Sequence, residues 1–188
     1  MGLSKRCIYG LRALIDLGIA QRMKREIVRI QELADGEKIP EKFLEQILMQ
    51  LKHGGYLESV RGKYGGYRVR IPMDSIRFGD VVRLIDGPLA PIPCVSQTAY
   101  EKCSCPDEVH CGLRMLMLNV RNAISDILDR YTLKDVVDLA IRKMQDDKVR
   151  VPFTEGNWFE FLQDGLSEKA KPVPSKKKAA KAPAASRK

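Results

Sequence analysis

The chain of 188 residues lacks several features that whole classes of protein require. It has no apolar run long enough to cross a membrane. Its first residues have neither the apolar stretch nor the cleavage site of a signal peptide. The two histidines, His53 and His110, are isolated, and the sequence shows no acid–base or nucleophile–base pair. We therefore expect a cytoplasmic protein that is neither an enzyme nor bound to a membrane.

Charge is spread unevenly along the chain. Residues 1–73 hold fourteen Lys and Arg against eight Asp and Glu, a net +6, whereas residues 74–168 hold eleven against sixteen, a net −5. Residues 169–188 hold eight basic residues and no acid, a net +8. The first and last segments therefore suit a polyanionic partner, and the middle segment does not.

Apolar residues at a helical period predict a first helix over residues 3–22. Ser4 is a suitable N-cap, because its hydroxyl can accept a hydrogen bond from a free backbone N–H of the first turn. Lys5 follows at once, so its ammonium group is placed where it could reach a phosphate.

Residues 26–55 predict two further helices, joined by a tight turn at residues 35–38. We expect Gly36 to take a positive φ in this turn. The second helix runs from Glu41 to about Lys52. Its apolar side is formed by Phe43, Leu44, Ile47, Leu48 and Leu51. Its other faces carry long polar side chains, as a helix in a DNA major groove requires, although any αα-hairpin can show the same pattern.

A short hairpin follows this pair of helices. Two strands are predicted at residues 56–61 and 67–71, with a glycine-rich turn between them. Arg61 and Lys63 make the turn basic, and Tyr64 lies beside them. A helix-turn-helix followed at once by a basic hairpin is typical of a winged helix, whose hairpin follows the DNA backbone or enters a narrow minor groove.

Taken together, these segments resemble the IscR/NsrR/RirA/CymR group of bacterial winged-helix repressors. The matching runs are residues 43–48, 51–52, 55–57, 59–62, 65–67 and 85–91. The resemblance covers residues 1–145 and implies that the recognition helix and the wing contact operator DNA. The residues expected at the DNA are Lys5, Lys42, Phe43, Glu45, Gln46, Arg61, Lys63 and Tyr64. Glu45 should select sequence, because a carboxylate accepts from cytosine N4 and repels phosphate.

Four of the five cysteines lie within eighteen residues: Cys94, Cys103, Cys105 and Cys111. A hydrophobic core does not need thiols at this density, whereas a metal ion or an iron–sulfur cluster needs thiolates that converge on one centre. The resemblance implies that Cys94, Cys105 and Cys111 hold an iron–sulfur cluster, of 2Fe–2S or 4Fe–4S type. Cys103 is the first candidate for a fourth ligand.

The fourth ligand and the metal both leave alternatives. Relatives place a ligand at positions that Arg114 and Ile8 occupy here, and neither side chain can ligate, so His110 and Cys7 are weaker candidates. Zinc suits four thiolates, but the loop has C-x-C spacing and no C-x2-C pair. The thiols could instead be redox-active without a metal, or the protein could respond to a metabolite or an enzyme partner.

Residues 113–131 predict a long helix with an apolar stripe at a/d spacing. Its members are Leu113, Met117, Val120, Ile124, Ile127 and Tyr131. Such a helix can pack on its own domain, but directly after a small winged domain it more often pairs with a second copy. The stripe therefore favours a homodimer, whose two-fold symmetry would match a palindromic operator. Thr132 and Asp135 then predict the capped start of a further helix.

These patterns predict a mainly α fold with a small β-hairpin wing: a winged helix-turn-helix plus a long dimerisation helix. The expected segments are a DNA-binding domain at 1–73, a connecting helix and turn at 74–93, a cysteine-rich sensor loop at 94–112, the dimerisation helix and the following helix at 113–147, an aromatic extension at 148–168 and a disordered basic tail at 169–188. We expect a repressor that binds double-stranded DNA and senses redox, iron or nitric oxide status through its cysteines. The rival from another class is a zinc-stabilised nucleic-acid-binding protein with no sensor role.

Overall fold

Helices dominate the structure, with one small hairpin beside them. The computed structural model describes residues 2–154, which hold six α-helices, one two-stranded antiparallel sheet and two short 3-10 turns. The helices are α1 Lys5–Arg22, α2 Ile30–Glu37, α3 Glu41–His53, α4 Phe78–Asp86, α5 Gly112–Arg130 and α6 Leu133–Asp146. The strands are β1 Leu57–Val60 and β2 Gly66–Val69, and the 3-10 turns are Met73–Ser75 and Pro93–Val95. The predicted fold class is confirmed.

Residues 155–188 lie outside the described part of the chain. They include most of the predicted aromatic extension and all of the predicted basic tail, so both stay predictions. Within residues 2–154, every helix is too short or too polar to cross a membrane.

Helix α1 begins where the sequence predicts it. The Oγ of Ser4 accepts from the Cys7 N–H at 3.0 Å, which caps the helix. The Ser4 N–H donates in turn to the Asp86 carboxylate at 2.8 Å. Because Asp86 is the last residue of α4, the cap also joins the start of α1 to the end of α4. The buried side of α1 includes Ala13, Leu14, Leu17 and Ala20.

The turn before α3 differs from the prediction. We expected the chain to turn at residues 35–38 with a positive φ at Gly36, but α2 continues past this glycine. Lys38 takes the left-handed conformation instead, with a φ of 54°. The Ile39 N–H then donates to the Ala34 carbonyl at 2.9 Å. The C-terminal cap of the helix therefore falls after the glycine, at a lysine.

The apolar side of α3 is buried as predicted. Leu44, Ile47, Leu48 and Leu51 have no exposed surface. The hairpin follows with Leu57 opposite Val69. Val28, just before α2, joins β2 through two backbone hydrogen bonds with Tyr67, of 3.1 and 2.9 Å. The wing is therefore attached to the start of the helix-turn-helix as well as to its end.

Helix α6 packs against the N-terminal helix. Its predicted capping box is present, and Leu133, Val137 and Ile141 share one hydrophobic core with α1. Gly18 of α1 allows the close approach, because a Cβ there would lie 2.7 Å from the Val137 side chain. The domain boundary at residue 73 stays a prediction, although residues on its two sides share this core.

We expect Gly18→Ala to lower the free energy of unfolding by about 1–3 kcal/mol, because the added methyl group overpacks the contact between α1 and α6. The matched control is Gly36→Ala. Nothing lies within 4 Å of a Cβ at Gly36, so alanine should raise the free energy of unfolding by about 0.5–1 kcal/mol through its helix propensity. Urea denaturation followed by circular dichroism measures both, and equal effects would contradict the close contact at Gly18.

Candidate nucleic-acid interface and cysteine loop

The exposed face of α3 presents polar side chains that the sequence predicts at DNA. Lys42, Glu45 and Gln46 are exposed, while the opposite side of the helix is held in the core. Phe43 is only partly exposed, and its ring meets the ring of Tyr9 edge-on, with centroids 5.9 Å apart. Phe43 therefore links α3 to α1 and leaves only part of its ring for a partner.

The tip of the wing carries exposed charge. Arg61, Lys63 and Tyr64 are all exposed, and the Lys63 ammonium lies 5.7 Å from the centre of the Tyr64 ring. Strand β1 of the wing packs against α3. Tyr67 on β2 is partly buried, and burial, followed by the charge of Glu45, raises the pKa of its hydroxyl. Helix α3 and the wing are therefore held against each other.

Two further arginines shape the wing without lying at its tip. Arg29, the residue before α2, donates to the backbone carbonyl of Lys63 at 3.3 Å. Arg68 on β2 pairs with the Glu58 carboxylate and lies 3.5 Å from that of Glu26. The sequence reasoning missed the contact of Arg29, because thirty-four positions separate the two residues and no local pattern connects them.

A pair of carboxyl groups lies beneath the helix-turn-helix. Burial raises the pKa of Asp16 most, and the neighbouring Glu37 carboxylate raises it further, to about 7. The positive charge of Arg12 acts in the opposite direction. Asp16 therefore keeps its proton up to a pH close to neutral. Arg12 also donates to the backbone carbonyl of Glu37 at 3.0 Å. Because Glu37 ends α2, these contacts join α1 to the segment that leads into α3.

The four predicted metal ligands are not brought together. Cys94 is buried in the turn Pro93–Val95, and Cys111 is the partly exposed residue that precedes α5. Cys103 and Cys105 are joined by a disulfide bond. Among residues 2–154, no three His, Cys, Asp or Glu side chains are grouped closely enough to hold a metal ion.

In this conformation the loop does not fit an iron–sulfur cluster or a zinc ion. The disulfide removes two of the four thiolates, and both kinds of centre need thiolate donors. The weaker candidates have other partners: His110 Nδ1 lies 2.6 Å from the Asp107 carboxylate, and Cys7 is fully buried in α1. Burial and then the charge of Asp86 raise the pKa of Cys7 to about 12, which opposes formation of its thiolate. The ligand set stays a prediction that concerns the reduced loop.

Helix α5 exposes much apolar surface. None of its 19 residues is buried in the single chain, and Leu113, Leu116 and Ile127 are each more than half exposed. An open, mostly apolar cleft of about 590 Å³ lies between α5, the N-terminal residues and the segment that follows α4. Exposed apolar side chains along a helix and its flanking cleft are typical of a surface that a protein partner covers.

A model of the Rrf2 family, described as an iron-dependent transcriptional regulator, matches residues 3–139. The chain belongs to the Rrf2 family. It is therefore a transcriptional regulator and not an enzyme, as its sequence predicts. The match extends from the start of α1 into α6, so it includes the helix-turn-helix, the wing, the cysteine loop and α5.

Individual Rrf2 relatives agree with this assignment. The chain is 35% identical over 137 residues to an rrf2-like HTH-type transcriptional regulator of Rhodobacter capsulatus. This alignment covers 72% of this chain and 91% of the relative. It is 31% identical over 150 residues to the HTH-type transcriptional regulator NsrR of Bacillus licheniformis, and that alignment covers 80% of this chain and 97% of the relative. The structure of CymR, the global cysteine regulator of Bacillus subtilis, aligns with a TM-score of 0.60 and 27% identity over 74% of this chain and 98% of that one.

Proposed function

We propose that this Rrf2-family chain is a cytoplasmic, homodimeric repressor that binds a palindromic operator through α3 and the wing. The observation that carries this proposal is their joint surface. Lys42, Glu45 and Gln46 lie exposed on a helix whose other side is fully buried, and the wing that packs against this helix exposes Arg61. A rigidly held helix with long polar side chains is what the readout of base edges in a major groove requires.

The side chains of this surface divide into three roles. Glu45 accepts from cytosine N4 and repels phosphate, so it selects sequence more than it adds affinity. Arg61 enters a narrow minor groove, where the negative potential is enhanced. Lys5, Lys63 and Tyr64 contact the backbone from the exposed ends of α1 and the wing. The basic tail, outside the described residues, adds attraction that does not depend on sequence.

Glu45→Ala should relax the preference at one base pair of each half-site, by about 1–3 kcal/mol of discrimination. Its affinity for random DNA should stay the same or increase, because a charge that repels phosphate is removed. The control is Asp146→Ala, which removes an equal charge from the exposed side of α6. Fluorescence anisotropy on a set of operators with single base changes measures the preference. An unchanged preference in Glu45→Ala would exclude this role.

The dimer part of the proposal rests on α5. A homodimer covers the exposed apolar residues of this helix, and a two-fold axis places two recognition helices on two half-sites. The cleft beside α5 extends the apolar surface to Leu3 and to the segment after α4. A second copy of the chain therefore has a continuous apolar surface on which to pack.

Ile127→Asp should convert the dimer into a monomer. The side chain is 55% exposed in the single chain, so aspartate is tolerated there. In a dimer the aspartate would be an unpaired, buried charge, at a cost of about 3–5 kcal/mol. Leu139→Asp is the matched control, since Leu139 is 60% exposed on α6. Analytical ultracentrifugation distinguishes the two variants. If Ile127→Asp remained dimeric, the interface would lie elsewhere.

The sensor part of the proposal rests on four cysteines in one loop and on a family whose model is described as iron-dependent. An iron–sulfur cluster of 2Fe–2S or 4Fe–4S type is the first candidate, with Cys94, Cys105 and Cys111 as ligands and Cys103 as the fourth. Such a centre would respond to redox, iron or nitric oxide status. It requires the reduced loop, in which Cys103 and Cys105 are thiols. Zinc in the same ligand set is the alternative metal.

A metal-free sensor is a second candidate, which the Cys103–Cys105 disulfide favours. In this case the two thiols and their disulfide are themselves the two states of the sensor. The likeness to CymR, a regulator described by its relation to cysteine, is compatible with a signal of this kind.

Protein prepared without oxygen should be coloured and contain iron and acid-labile sulfide if the first candidate is correct. Substitution of Cys94, Cys105 or Cys111 by Ala should each abolish the visible absorption, because each removes a ligand. Cys7→Ala, a change inside α1, should keep the colour. A colourless protein with one zinc ion per chain would support the zinc alternative, and one without any metal would support the disulfide sensor.

A further inference from the structure

Two arginines of α5 hold the backbone of the turn that contains Cys94. Arg121 Nη1 donates to the Val95 carbonyl at 2.8 Å, and Arg114 Nε donates to the Cys94 carbonyl at 3.3 Å. The two arginines are seven positions apart, so they project from the same face of the helix. The turn Pro93–Val95 is thereby fixed to α5 through its carbonyl oxygens.

Arg114 also joins the more distant part of the cysteine loop to α5. Its Nε lies 3.2 Å from the Glu108 carboxylate, and the Tyr100 hydroxyl donates to the same carboxylate, at 2.8 Å to one oxygen and 2.9 Å to the other. Hydrogen bonds with a charged donor or acceptor are about twice as strong as neutral ones. Both sides of the disulfide-bonded Cys103 and Cys105 are thus connected to one side chain of α5.

The other end of α5 has a different attachment. Arg83 of α4 forms a two-pronged contact with the Asp129 carboxylate, with both distances at 2.7 Å. Helix α5 is therefore fixed to α4 near its C-terminus and to the cysteine loop along its N-terminal half. Because α4 packs against α1 and α3, a change at the loop can alter the position of α5 relative to the recognition helix.

We propose that Arg114 and Arg121 are positioning residues that transmit the state of the cysteine loop to α5. They hold the loop on the helix through the carbonyls of Cys94 and Val95 when the loop has one conformation, and lose these acceptors when its cysteines change state. The inference rests on the proposed sensing role of the loop and deepens it. It holds for a cluster sensor and for a disulfide sensor alike, because both act on the same backbone.

The first test measures how well Cys94 is protected in the full-length protein with the Cys103–Cys105 disulfide formed, which is the state in which both contacts are observed. Arg121→Met keeps much of the side-chain volume but loses the donors, so iodoacetamide should alkylate Cys94 about tenfold faster, the factor expected for one lost hydrogen bond to a charged group. Arg130→Met, at the far, exposed end of α5, should leave the rate unchanged. Peptide mass spectrometry assigns each modified cysteine. Cys7, which has no exposed surface, reports unfolding if its own rate rises.

The second test measures transmission. Operator affinity is compared between fully reduced protein and protein oxidised with diamide, which takes up the two electrons and two protons released as Cys103 and Cys105 form their disulfide. The ratio of the two affinities should be closer to one in Arg121→Met and in Arg114→Met than in the wild-type protein. It should keep its wild-type value in Arg130→Met. Arg121→Lys, which retains a charged donor, should restore part of the ratio.

The outcomes separate the inference from the proposed function. An unchanged alkylation rate of Cys94 in Arg121→Met would exclude the anchoring contact whatever the affinities. Faster alkylation with an unchanged affinity ratio would show that the arginines anchor the loop without transmitting its state, which also overturns the inference. The sensing role would fail if the wild-type protein bound the operator with the same affinity in three states: reduced, oxidised, and reduced with its metal centre reconstituted. Transmission through the arginines would then fail with it.

Discussion

Close packing around α1 is the constraint on which the rest of the structure depends. Two glycines allow it. A Cβ at Gly10 would lie 2.7 Å from the Ile85 side chain of α4 and 3.0 Å from that of Ile47 in α3, and Gly18 lies equally close to α6. Because a packed interior transmits displacements instead of absorbing them, the recognition helix, α4 and α6 keep their positions relative to one another through this one helix.

Local patterns explain why much of the DNA-binding unit could be predicted from the sequence. The apolar period of α3 and the glycine-tipped hairpin depend on residues that are near one another in the chain. The end of α2 could not be predicted in this way. Arg12, far away in sequence, donates to the Glu37 carbonyl in the last turn of α2, so a tertiary contact supports a helix that continues past Gly36 and places Lys38 in the left-handed region.

The cysteine loop shows a different limit of prediction. Spacing reveals that four thiols lie close together in the chain, but it does not reveal that Cys94 is buried in a turn whose carbonyls bind α5. It also does not indicate which pairs of sulfurs meet. The contacts of Arg114 and Arg121 escaped the sequence analysis for the same reason, since backbone carbonyls leave no trace in a pattern of side chains.

Arg68 has a consequence for how the protein finds its sites. A regulator searches for a few operators among a very large number of other sequences, and what limits it is the ratio of specific to general binding. The contacts of Arg68 with Glu58 and Glu26 compensate one positive charge on the side of the wing. A positive charge that is paired inside the protein adds less to the attraction that every DNA sequence exerts alike, so a regulator with such pairs spends less time at wrong positions on the genome, and a larger share of its copies is free to reach the right ones.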